Sequence, residues 1–227
     1  MLQRYHFDMC GKFTAMASWA EVVDFSQPLG IVTGGNDQVV SFRVGSMIPV
    51  IVFDSELQER LVIPMQWGFP HKTKRLDPIH CRSETIDVRP TFAPLFAGGR
   101  RGIVVVQTFN EGEEVGKKTI QHVIDPKADA PLGFPVLWNK FDIGGREIFA
   151  CVQITVPANQ LISTITDRMP AFLRPEDWPK WLGEIPATAS ELKAMLKTVE
   201  RVSWTMTREE AAKGKKPVVS DPTPGLF

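Results

Sequence analysis

The chain has 227 residues, 43% hydrophobic and 23% charged, a soluble globular composition with enough apolar material for one sizeable core. Its 26 basic residues balance its 26 acidic ones, so no global field draws it to nucleic acid, and any such binding needs a local patch. Cys10, Cys81 and Cys151 are too few and too scattered for a disulfide framework or a zinc site, and no apolar run approaches the ~20 residues of a membrane helix.

The first eight residues include Arg4, His6 and Asp8 and do not read as a signal peptide. A single domain over residues 1–227 is expected, as a cytoplasmic monomer with no metal or cofactor. In chain order, Ser18 to Phe25 is a modest helix candidate, and Val39 to Val44 and Ile48 to Phe53 are runs rich in β-branched residues, parted by Gly45-Ser46. Leu61 to Ile63, Gly102 to Phe109, Thr119 to Ile124 and Ile148 to Val156 extend the strand pattern. Turns are predicted at Glu111 to Glu114 and Ile143 to Arg146. Arg174-Pro175-Glu176-Asp177-Trp178 marks a helix start, and Ser190 to Lys197 a helix with Ser190 as its N-cap. Strands in the middle and helices at the margins predict an α+β, β-rich fold, with a rolled or barrel-like mixed sheet and peripheral helices.

Four segments hold candidate chemistry. Met9-Cys10-Gly11-Lys12-Phe13 places a cysteine behind a methionine. If Cys10 becomes the terminal residue it offers an α-amine, with a pKa of about 8, and a thiol that together close a five-membered ring on one aldehyde carbon. Taken alone, a small buried cysteine is the simpler account. Between Lys72 and Arg101, seven basic residues (Lys72, Lys74, Arg75, Arg82, Arg89, Arg100, Arg101) face three acids, with Trp67, Phe69, Phe92 and Phe96 interleaved. That pattern suits a phosphate-tracking groove with stacking surfaces, and equally a solvated loop beside core aromatics. Glu111 follows an apolar strand, where a desolvated carboxyl would gain a pKa useful for proton transfer; the nearby Glu113 and Glu114 favour a plain turn. Ile165 to Pro170 reads as a structural turn holding an Asp167–Arg168 pair.

In this order the segments resemble the SOS-response-associated peptidase (SRAP) family. The resemblance rests on Met9 to Phe13, Trp67-Gly68, Arg82 with Glu84-Thr85, Phe92 to Leu95, Glu111, and Asp167 to Pro170, and runs from Met9 to about Trp204. It implies an abasic-site sensor whose terminal cysteine, bared by self-cleavage, forms a thiazolidine with the aldehyde of an abasic sugar in single-stranded DNA. By resemblance Cys10 is the nucleophile, Glu111 the acid/base group and Arg82 a phosphate ligand, while Trp67 shapes the cleft. Lys72, Lys74, Arg75 and Arg43 are the further DNA-binding candidates.

The chain departs from the family pattern at several positions. His80 stands at the family asparagine, Thr166 at the family histidine, and Arg43-Val44-Gly45-Ser46 replaces an Asn-x-x-Pro segment. Either the imidazole's work moved from position 166 to His80, or the site decayed, leaving a non-catalytic single-strand-binding relative of phage origin. Residues 1–9 are expected to be a leader removed ahead of Cys10, or a start upstream of the true one at Met9. A cysteine hydrolase pairing His80 with Cys10 or Cys81 is a third reading. Pairing with Cys81 is disfavoured because strand neighbours point to opposite faces.

Overall fold

The computed structural model describes residues 11–15, 29–31, 40–71, 76–126, 132–200 and 203–209. The helix expected at Ser18 to Phe25 lies outside them, as do Cys10, Lys72, Lys74 and Arg75.

Strands β1 (Lys12–Ala15), β3 (Val40–Arg43), β8 (Thr108–Val115), β9 (Lys118–Asp125) and β13 (Thr205–Arg208) form an antiparallel sheet in the order β13-β9-β8-β1-β3. A second sheet follows the path β12-β11-β10-β7-β4-β5-β2. Its members are β2 (Leu29–Ile31), β4 (Met47–Asp54), β5 (Glu59–Trp67), β7 (Arg101–Val106), β10 (Leu132–Ile143), β11 (Arg146–Pro157) and β12 (Arg168–Pro170), and β6 (His80–Arg82) runs beside β11. Parallel pairing of β11 with β5, at Ala150↔Gln66 and Cys151↔Trp67, joins the ends of the path β11-β10-β7-β4-β5. The result is a closed five-stranded mixed barrel, as the expected rolled sheet anticipated. Closure removes strand edges that would otherwise invite pairing with other chains.

Strand β7 is buried along all six residues, which explains its uninterrupted apolar run. A Cβ on Gly102 would meet Val50 Cγ1 at 2.6 Å and the Ile51 carbonyl oxygen at 3.0 Å, so the barrel closes tightly only around glycine. Arg101, at the start of the strand, donates to the carbonyls of Trp181 (2.6 Å) and Phe96 (2.7 Å). These bonds dock helices α1 (Ala93–Ala97) and α2 (Trp178–Leu182) onto the barrel.

Several elements differ from expectation. Gly102 to Phe109 is two strands: the chain leaves the barrel at Gln107, whose N–H donates to Thr14 O (3.2 Å), and β8 enters the five-stranded sheet. The turn expected at Glu111 to Glu114 is strand; the reversal falls at Gly116-Lys117, where Gly116 has φ 63°. Buried Phe109 sets the strand alternation, which carries the acids that follow into β8. Strand β10 escapes sequence reading because Gly133 and Pro135 look like breakers. The sheet takes Gly133 because the Trp178 indole lies 2.7 Å from where its Cβ would be. Helix α3 (Ala189–Met195) is capped by Thr188, not Ser190: Thr188 Oγ1 accepts from Glu191 N (3.2 Å), and Glu191 Oε2 accepts from Thr188 N (2.7 Å). The T-x-x-E capping box satisfies two orphan donors at once, which a lone serine cannot.

An aromatic core joins the two sheets. Phe13 and Phe109 of the first sheet meet Phe134 of the barrel at centroid distances of 6.1 and 5.8 Å. Phe172 packs on Phe134 at 5.0 Å and on Trp204 at 5.3 Å. Such edge-to-face pairs each add about 0.5–1.5 kcal/mol beyond simple burial, and they fix β8 against the barrel.

Candidate functional site

Glu111 is 1% exposed in the middle of β8. Strand β1 lies on one side of it and β9 on the other, with the registers Lys12↔Asn110 and Glu111↔His122. Lys12, two residues after Cys10 in sequence, therefore runs alongside the strand that carries this carboxyl. On the opposite face, Lys12 forms an ion pair with Glu209, and Asn110 Nδ2 donates to the same carboxylate at 3.3 Å. Gly11 O accepts from Val44 N at 3.4 Å. The start of β1 is thus held from β3, β8 and the segment after β13, and the main chain immediately following Cys10 is fixed.

Arg43 is exposed on β3 and is the register partner of Lys12. Because Lys12 is already paired with Glu209, the exposed Arg43 is the cation presented where β1 begins. Arg82 is exposed on β6 opposite Thr155.

His80 is 9% exposed, pairs with Gln153 on β11, and sets its ring against Trp67 in a T-shaped contact at 6.3 Å. Trp67, 1% exposed, meets Phe13 on its other flank at 5.0 Å. A string of rings therefore runs from His80 through Trp67, Phe13 and Phe134 to Phe109, two residues before Glu111. Thr166 is half-buried between a 3₁₀ turn (Ile162–Thr164) and β12, with its N–H on Ile162 O at 3.1 Å.

Of the two readings of the aromatic residues in this stretch, core is the one observed: Trp67, Phe69, Phe92 and Phe96 are all buried. The space among Phe13, Trp67, Phe134 and Gln153 is a cavity of about 10 Å³, room for one water at most. A nucleotide cannot enter that cavity.

The Asp167–Arg168 pair expected at the turn is replaced by another. Arg168, 6% exposed, forms a two-pronged ion pair with Glu84, with Nη2 to Oε2 at 2.9 Å, and donates to Thr155 O at 2.7 Å. Asp167 stays exposed and gives only its carbonyl, to Ala158 N. Hydrogen bonds from Arg168 pull the Glu84 carboxyl down to about 2. Glu84 and Arg168, which lie in segments far apart in sequence, therefore form one structural clamp.

Cys81 is 2% exposed, and burial pushes its thiol far above the ordinary range; Cys151 behaves the same way. Thiols held protonated in an apolar core are poor nucleophiles, which removes Cys81 as a hydrolase centre. Among the described residues, no group of His, Cys, Asp and Glu side chains is arranged to hold a metal ion, and no helix is long and apolar enough to cross a membrane.

Sequence reasoning overlooked the Lys12–Glu209 tie, which joins residues 197 positions apart and leaves no local signal.

Residues 9–212 match the sequence model of the SOS response associated peptidase (SRAP) family. The abasic site processing protein YobE of Bacillus subtilis is 24% identical over 196 residues, covering 83% of this chain and 88% of that one. YoqW of Bacillus phage SPbeta, of the same printed description, is 24% identical over 196 residues, covering 83% and 86%. Mouse HMCES, likewise an abasic site processing protein, is 28% identical over 178 residues, covering 62% of this chain and 50% of its own length. Among solved structures, a Bordetella bronchiseptica protein superposes with a TM-score of 0.73 at 18% identity, over 89% of this chain and 100% of that one. A Bacteroides thetaiotaomicron protein gives 0.71 at 20% identity, over 88% and 91%.

Proposed function

The chain belongs to the SOS response associated peptidase family, and from that premise we propose that it senses abasic sites in single-stranded DNA and captures them covalently through Cys10. The observation that carries this reading is the position of Glu111. A carboxyl buried to 1% exposure sits one register step beyond the Lys12↔Asn110 pair, on the strand beside the chain that Cys10 precedes by two residues.

Removal of residues 1–9 bares the α-amine of Cys10. The neutral amine attacks the open-chain aldehyde carbon of the abasic sugar, and the carbinolamine loses water to give an imine. The Cys10 thiol then adds to the same carbon, its proton passes to the ring nitrogen, and a five-membered thiazolidine closes. One water leaves overall and nothing is oxidised or reduced. Glu111 gives a proton to the departing hydroxyl, recovers one from the nitrogen as the neutral imine forms, and relays the proton that the thiol surrenders to the ring nitrogen; its removal from bulk water suits this exchange. Arg82 and Arg43 meet the phosphates of the strand, and Lys72, Lys74 and Arg75 are the further phosphate ligands that the resemblance suggests. His80 and Thr166 stand at the remaining family positions, and His80 supplies an imidazole where relatives place an amide.

Protein prepared to begin at Cys10 should give a heat-stable adduct with an abasic single-stranded oligonucleotide, read on a denaturing gel. Cys10→Ser should give none, because a hydroxyl closes the ring far less readily than a thiol. Equal yield from the serine variant would remove Cys10 from the mechanism.

A further inference from the structure

The carboxylate of Glu209 reaches across the first sheet to the strand that follows Cys10. Its N–H donates to Gln121 O at 2.8 Å, one residue beyond the Arg208↔His122 pair, and so ties its main chain to β9. One carboxylate oxygen, Oε1, is ion-paired with the Lys12 ammonium, and the other, Oε2, accepts from Asn110 Nδ2 at 3.3 Å. Lys12 and Asn110 are themselves register partners across β1 and β8. A single side chain therefore bridges a cross-strand pair, and one member of that pair immediately precedes Glu111.

The side chains of Lys12 and Glu209 are 19% and 35% exposed, so their ion pair adds little to the stability of the whole fold. Its effect is local and falls at a chain end. Once residues 1–9 are removed, Lys12 is the third residue, and a terminal strand of four residues frays unless it is tied down. On its other side the register partner of Lys12 is Arg43, and like charges across a strand pair destabilise the pairing. The Glu209 carboxylate offsets that repulsion and draws Lys12 toward β8.

We propose that Glu209 is a positioning residue for Cys10: by holding Lys12 to Asn110 it fixes the start of β1, and with it the amine and thiol two residues ahead. Two extended residues span at most about 7 Å, so displacement of Lys12 passes directly to Cys10. The inference rests on the proposed role of Cys10 as nucleophile, and Glu209 acts on the reaction only through Lys12.

Single-turnover crosslinking by protein beginning at Cys10, followed against the concentration of abasic oligonucleotide, tests it. Glu209→Ala should lower the saturating rate by up to about 10²-fold, the cost of misplacing a reacting group by roughly 1 Å, and leave the half-saturating concentration unchanged. Lys12→Met should also slow the reaction, and the double variant should be no slower than Lys12→Met alone, because both changes break one contact. Thiazolidine formation with glycolaldehyde, a small free aldehyde that needs no docking, should proceed at the parental rate in every variant. Should Glu209→Ala not fold, Glu209→Gln carries the same test with the ion pair alone removed. A parental saturating rate, a loss confined to the half-saturating concentration, or additive losses in the double variant would overturn the proposal. Absence of adduct from the parent would count against the proposed function instead. NMR relaxation of the Gly11 and Lys12 amides then decides the tether: they should be more mobile in the Glu209 variant, and parental rigidity would overturn it.

Discussion

Two glutamates lie in segments that match the family, and the fold treats them in opposite ways. Glu84 has a side chain 46% exposed and is gripped by the guanidinium of Arg168, which holds its carboxyl down to about 2. Glu111 is 1% exposed in the middle of a strand, next to β1 and opposite an imidazole. The first is locked as an anion at every pH a cell meets, so it cannot trade protons; it joins β6 and its following turn to β12. The second is withdrawn from water beside the segment that follows Cys10. A glutamate in a motif is thus chemistry or scaffold according to its partners, and sequence alone does not separate them.

The largest expected difference between the two is in rate. Glu111→Gln should slow adduct formation by about 10²–10⁴-fold, the usual worth of a positioned acid/base group, and leave the thermal midpoint nearly unmoved. Glu84→Gln, assayed where it is folded, should react at the parental rate. A large rate loss in Glu84→Gln would break the division of labour.

Next in size is the clamp itself. Arg168→Leu removes the buried guanidinium, strands Glu84 without its partner and deletes the bond to Thr155 O, a loss of about 3 kcal/mol by denaturant unfolding. Glu84→Gln should cost only about 1 kcal/mol, since its half-exposed carboxylate is screened by solvent. The same pair predicts a pH signature. The Glu84 carboxyl titrates at about 2 in the folded chain against 4.5 ordinarily, so the unfolded chain binds the proton first as pH falls. Its stabilisation is complete above about 4.5 and disappears as pH drops through about 2; in Glu84→Gln that portion of the acid dependence should be missing.

The smallest effect is expected at Arg82. Its exposed guanidinium lies on β6, next to the clamp but outside it. Arg82→Ala should weaken binding to single strands regardless of base sequence and reduce the slope of log affinity against log salt by about 1. An unchanged slope would place Arg82 with the scaffold.

Much of this was legible in the residues. The β-rich barrel follows from short β-branched runs with helices at the margins, and the ordered motifs pointed to the family before any coordinates. Other features depended on pairing across long sequence distances. Arg168 finds Glu84, 84 residues away, where the local Asp167 looked the natural partner. Glu111 to Glu114 looked like a turn because acids beside a glycine usually are one, yet Phe109 anchors the strand and draws them in. The aromatic residues beside the basic run read equally as stacking surfaces or as core, and burial decides for core. Glu209 became a candidate only when the fold brought it to Lys12 and Asn110.

The most direct test of the account is the intact mass and peptide map of the adduct between protein beginning at Cys10 and an abasic oligonucleotide. Thiazolidine formation predicts the sum of the two masses less one water, with the DNA remnant on the tryptic peptide Cys10-Gly11-Lys12. An adduct carried on any other residue, or a mass lacking the loss of water, would contradict it.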